Sequence, residues 1–132
     1  MENPQPEKHD ITTQADIILL VNTFYQKVRN NSTLNFIFED VAKVDWPNHL
    51  PKMYAFWGGM LLGDNTYKGD PMTRHVELSR ETPIGQPQFA AWLSLFVGTI
   101  DELFVGEKAR EAKMRAGNIA GLMMHKIQAA KL

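Results

Sequence analysis

Trp46-Pro47-Asn48-His49-Leu50-Pro51-Lys52-Met53-Tyr54-Ala55-Phe56-Trp57-Gly58-Gly59-Met60-Leu61-Leu62-Gly63 decides the fold. His49, Met53, Phe56, Trp57, Met60 and Leu61 recur in steps that place them on one face of a helix. Pro47 and Pro51 lack a backbone donor and suit only a first turn, so His49 is expected in a loose first turn or in the turn leading into it. Gly63-Asp64-Asn65 stops the helix. Upstream, Thr13-Gln14-Ala15-Asp16 reads as a capping box, followed at helical spacing by Ile17, Leu20, Val21, Phe24, Tyr25 and Val28. Asn30-Asn31-Ser32 ends that helix, and a short segment from Leu34 to Val41 carries Phe36 and Phe38. Downstream, Asp70 is a good helix N-cap and Pro71 suits the first helical position, so a short helix is expected with His75 on its second turn. A loop from Glu81 to Pro87 precedes the stripe Phe89, Trp92, Leu93, Phe96, Ile100, Leu103 and Phe104, which Gly106 breaks. The last helix carries Ala109, Ala112, Ala116, Ile119, Ala120, Met123 and Ile127 on one face. No segment alternates with strand period, so the expected class is all-α, with about five substantial helices and one short one.

A chain of 132 residues makes one domain with one sizeable core. A flexible tail is expected over residues 1–14 and a single domain over 15–132. With 14 basic residues against 15 acidic ones and no basic stripe, nucleic acid is excluded as a partner. The absence of Cys excludes disulfides, thiolate metal sites and Cys nucleophiles. The polar N-terminus, with Pro4 and Pro6, does not read as a signal peptide, and the apolar run Ile17 to Val21 is far short of the roughly 20 residues of a membrane span. The default is a soluble cytoplasmic protein, a monomer or weak dimer, with no membrane partner. The four His are too scattered for zinc, and phosphate-binding glycine loops, a nucleophile elbow and a paired-carboxylate site are all missing.

What remains are 7 Met, 7 Phe, 3 Trp and a few polar groups on apolar faces. Met and aromatic side chains fill irregular cores and also line flat hydrophobic ligand sites. A single His near an apolar face is more often structural than a ligand, and by spacing alone Met53 and Trp92 read as core. Tyr25, Trp92 and His49 put three polar tips on inward faces, where a buried hydroxyl or indole N–H needs a partner. That suggests a small polar guest without identifying one. His9 and His125 read as surface residues.

The strings Trp46 to Met53, Phe56 to Gly63, Tyr67-Lys68-Gly69-Asp70-Pro71-Met72 with His75, Trp92 to Phe96, and Phe24 to Val28 together resemble the bacterial truncated haemoglobins of group III. The resemblance runs from about Asp16 to His125, and the motifs occur in order at suitable separations. The paired-glycine signatures of groups I and II are absent, as is typical of group III; Gly58-Gly59 lies inside a helix and is not one of them. The resemblance implies a globin-like two-over-two helical sandwich holding haem b, with His75 as the proximal iron ligand. It implies a distal side lined by Tyr25, His49, Met53 and Trp92. Phe36, Phe38, Met53, Trp57, Leu61, Leu78, Phe96 and Met123 would pack on or under the porphyrin, and Lys52 and Arg74 would reach the propionates or stay as solvated charges.

The chemistry expected of that arrangement is specific. A neutral imidazole on iron needs an acceptor for its other ring nitrogen, and the carbonyl of Pro71, one turn back, is better placed than Glu77. A carbonyl partner favours reversible binding over O–O cleavage. On the distal side, Tyr25 O–H and Trp92 N–H are donors for dioxygen, nitric oxide or carbon monoxide, and would hold oxygen tightly. His49 is expected to gate ligand access. The alternatives are a nitric oxide dioxygenase or peroxidase fed by a separate reductase, a gas sensor acting in trans, and a helical interaction module without haem.

Overall fold

The computed structural model describes residues 7–41, 43–63 and 84–130. The described residues are helical, apart from turns and one isolated parallel bridge between His9 and Phe104. Helix α1 spans Gln14–Arg29, a π-helical segment spans Ile37–Val41, α2 spans Trp46–Leu62, α3 spans Gln86–Leu103 and α4 spans Glu107–Ala130. The described residues thus hold four long helices rather than five; the expected short helix around His75 lies outside them. No helix among them is long and apolar enough to cross a membrane.

Helix α1 starts where the sequence says it should. Thr13 Oγ1 accepts from Asp16 N–H at 3.2 Å, and Asp16 Oδ2 accepts from Thr13 N–H at 3.0 Å, so two otherwise orphaned donors are satisfied reciprocally. Burial leaves Ile17, Leu20 and Val28 fully sealed, with Val21, Phe24 and Tyr25 nearly so. Each such aliphatic or aromatic side chain contributes about 1.5–3 kcal/mol of transfer free energy, an upper bound for a real unfolded chain. Asn30 closes the helix, its N–H shared between the carbonyls of Lys27 and Val28.

The remaining boundaries show where proline rules need care. In α2 Pro47 occupies the first turn, but Pro51 lies one turn further in and the helix continues through it. His49 N–H already reaches Asp45 O at 2.8 Å, so His49 is part of a hydrogen-bonded first turn rather than a loose approach to it. Gly63 ends α2 in the left-handed region at φ 78°, with its N–H on Gly58 O. Pro87, expected in a loop, sits in the first turn of α3, where a missing donor costs nothing. Gly85 N–H donates to Gln88 Oε1 at 2.8 Å across that start.

α1 packs against both α2 and α3, and α3 packs along α4, so the pair α1–α2 forms one layer over the pair α3–α4. This is an all-α helical sandwich. One buried cluster joins the inner faces of α1, α2 and α3 to the first half of α4. A second one gathers Ile37, Ile84, Phe89, Ala120, Met123 and Ile127. Phe38, Trp92 and Ile119, each half-buried, pack against both clusters and mark the seam between them.

The N-terminal segment corrects one expectation. Ile11 falls within the tail expected over residues 1–14, yet it is fully buried in the first cluster. Asp10 accepts from the backbone N–H groups of Lys108 and Ala109, both at 2.9 Å, and so caps α4 from the far end of the chain. Lys8 adds a bond to Asp101 O at 2.7 Å. The close approach requires Gly106: a Cβ there would sit 2.5 Å from Asp10 Cγ, and its φ of 139° suits glycine.

Candidate functional site

Four elements build the site around the polar tips of Tyr25, His49 and Trp92. Tyr25 comes from the last turns of α1, Phe38 from the π-helical segment, Trp46, His49 and Met53 from α2, and Trp92 from α3. One extra residue per turn displaces side chains from their α-helical positions, which is why π-turns often occur at functional sites. Here Phe38 is turned toward Tyr25, with ring centroids 6.0 Å apart.

Tyr25 is the centre of the pocket. Its ring lies 5.3 Å from Trp46 and 5.4 Å from His49, and 4.9 Å from Phe24 beneath it. The residue is buried, and burial pushes its hydroxyl well above the ordinary tyrosine range, because desolvation penalises the charged phenolate. Tyr25 therefore keeps its proton and remains a donor. His49 Nε2 is 3.4 Å from Tyr25 Oη, long for a bond of this kind. Two of the three polar tips thus meet each other, and among the described residues no sealed side-chain nitrogen or oxygen is without a partner. The sequence argument from partnerless buried groups is corrected on this point.

Trp92 reaches the same region through Phe24, whose ring stands edge-on to it at 5.8 Å. Its plane is fixed by a column of rings: Trp92 stacks on Phe96 at 5.6 Å and Phe96 on Trp57 at 4.5 Å. Trp57, Leu61 and Phe96 are sealed in the first cluster, where Trp57 and Phe96 back Trp92 from within. Met53 is half-buried against that cluster, and Met123 is buried in the second one. Phe36 is 37% exposed and Lys52 is exposed on α2. His75, Arg74 and Leu78 lie outside the described residues, as does Pro71. His9 and His125 are exposed, as expected.

Trp46 is the wall residue that the sequence reading did not assign. It is three residues before His49, a spacing that puts the two on one helix face, and their centroids are 5.7 Å apart. Its ring also stacks over Phe38 at 6.0 Å with planes 20° apart. Outside it, Arg29 lies over the indole with Cζ 4.9 Å from the centroid. The pocket is therefore aromatic on most sides, carries one protonated hydroxyl and one imidazole, and borders the seam between the two buried clusters. That chemistry suits a flat apolar guest together with a small ligand able to accept a hydrogen bond.

Residues 9–127 match the family model described as bacterial-like globin. The chain is 34% identical over 116 residues to the group 3 truncated hemoglobin ctb of Campylobacter jejuni, covering 86% of this chain and 89% of that protein. It superimposes on the crystal structure of a group III truncated hemoglobin from Campylobacter jejuni with a TM-score of 0.80 at 32% identity, covering 92% and 95% of the two chains.

Proposed function

Since the chain belongs to the bacterial group III truncated haemoglobins, a fold that carries haem and binds gas, we propose that it binds dioxygen, nitric oxide and carbon monoxide at a His75-held haem b, with Tyr25 and Trp92 as distal donors. The observation that carries this reading is the buried Tyr25 hydroxyl, set among the rings of Phe24, Phe38, Trp46 and His49 beside the seam. A flat macrocycle needs a slot with apolar walls on both sides. The seam offers buried apolar walls on two sides and half-buried Phe38, Trp92 and Ile119 along it.

Haem bound there would supply an iron able to take a diatomic gas. His75 would provide the protein's bond to it, with the carbonyl of Pro71 keeping the imidazole neutral and oriented. Phe36, Phe38, Met53, Leu61, Leu78 and Met123 would form the apolar walls, and Lys52 and Arg74 the propionate contacts. Trp57 and Phe96 serve the site by holding the Trp92 ring plane. On the distal side, Tyr25 O–H would donate to a ligand that carries partial negative charge in exchange for its contact with His49. The long Tyr25–His49 distance makes that exchange cheap. His49, on the first turn of α2 beside Tyr25, would gate ligand access. A carbonyl rather than a carboxylate partner for the His75 ring would favour holding a gas over O–O cleavage.

Titration of the purified chain with haemin tests the proposal. One equivalent is expected to give a sharp Soret band that shifts on reduction and addition of carbon monoxide. A chain that stays colourless through the titration would remove the proposal.

A further inference from the structure

Trp46 lies where the end of α1, the π-helical segment and the start of α2 meet. A single oxygen ties the three together: Glu39 Oε1 accepts from Arg29 Nε–H at 2.8 Å and from Trp46 Nε1–H at 3.2 Å. The guanidinium that Glu39 holds in place lies over the indole face at 4.9 Å, a cation–π arrangement. The Arg29 and Glu39 side chains are 50% and 39% exposed, whereas Tyr25 directly beneath Trp46 is only 8% exposed. The indole is thus fastened from outside by an ion pair and rests inside on Tyr25, Phe38 and His49.

We propose that Trp46, latched by Glu39 and Arg29, is the cover of the Tyr25–His49 pocket and sets how fast a gas enters and leaves it. The inference rests on the gas-binding reading above, and gives that site an access control beyond His49. A cover held by an exposed ion pair has a distinct kinetic signature. Loosening it lowers one barrier that is crossed in both directions, so association and dissociation speed up by the same factor and affinity stays put. A residue that stabilises the ligand changes dissociation and affinity together.

Laser photolysis of the carbon monoxide complex, paired with ligand-replacement measurements, reads both rates. Glu39→Ala and Arg29→Met, both at exposed positions, are each expected to raise association and dissociation by about three- to tenfold, with Kd held within about twofold. Added salt is expected to speed association in the parent and not in Glu39→Ala, since the latch is an exposed ion pair. Trp46→Leu, which removes the cover itself, is expected to speed association at least as much. Unchanged rates in these variants, or a change in dissociation alone, would overturn the proposal. Failure of the gas-binding reading is distinguishable, because the parent protein would then show no carbon monoxide spectrum at all.

Discussion

Tyr25→Phe removes one oxygen atom from the middle of the pocket and leaves the ring contacts with Phe24, Trp46 and His49 in place. A hydrogen bond to a charged acceptor contributes about 1.5–3 kcal/mol. Against this stands the Tyr25–His49 contact that must be given up first; at 3.4 Å it is weak, on the order of 0.5 kcal/mol. The net stabilisation of a partly charged ligand is then about 1–2.5 kcal/mol, or roughly five- to seventyfold in dissociation rate. Carbon monoxide takes little charge and should dissociate almost unchanged, so the ratio of the two effects isolates the hydrogen bond from any packing loss. Stopped-flow replacement of dioxygen by carbon monoxide on the ferrous protein measures the first rate, and replacement of carbon monoxide by nitric oxide the second. An unchanged dioxygen dissociation rate in Tyr25→Phe with a parent-like Soret band would refute the donor role.

Two further expectations concern the scaffold. Burial tends to raise the Asp10 carboxyl, but the N–H groups of Lys108, Ile11 and Ala109, with Arg110 nearby, outweigh it and hold the group below its usual value. A depressed pKa gives stability that is present above the unfolded value near 4 and is lost as pH falls through the folded one. Asp10→Ala, which removes the α4 cap, is expected to cost about 1 kcal/mol and lower Tm by about 3–6 °C at pH 7, with a smaller penalty at pH 3, measured by thermal melts; equal penalties at both pH values would count against the capping account. Tyr25 has the opposite sign. Its raised pKa gives stability that is complete below the unfolded value near 10 and is lost as pH rises beyond it, so urea midpoints of the parent should fall more steeply between pH 9 and 11 than those of Tyr25→Phe. Parallel profiles would contradict the burial argument.

Much of this was legible in the sequence, because the relevant signals are local. The Thr13–Asp16 box and the buried stripe of α1 follow from spacing alone, and both are present in the fold. The face carrying Tyr25 and the one carrying His49 were each readable in the same way, and their meeting at 3.4 Å follows from α1 packing on α2. What spacing could not reveal is long-range or depends on a local irregularity. Asp10 finds its partners 98 and 99 residues away, so a polar N-terminal stretch looked like a tail. Pro51 inside a helix broke a rule that holds on average, because a single lost bond is tolerable when the apolar face continues beyond it. Trp46 was visible three residues before His49, but its role as a wall depends on the π-helical turn that delivers Phe38 and Glu39, and nothing in residues 34–41 announced that turn.

The central claim is that a haem held by His75 sits beside the Tyr25–His49 pocket. It is tested most directly by His75→Gly, which removes the ring and leaves room for imidazole from solution. The expected result is a variant with a weakened, broadened Soret band, restored to the parent spectrum by added imidazole. A His75→Gly variant that keeps the parent Soret band with no imidazole present would contradict the account.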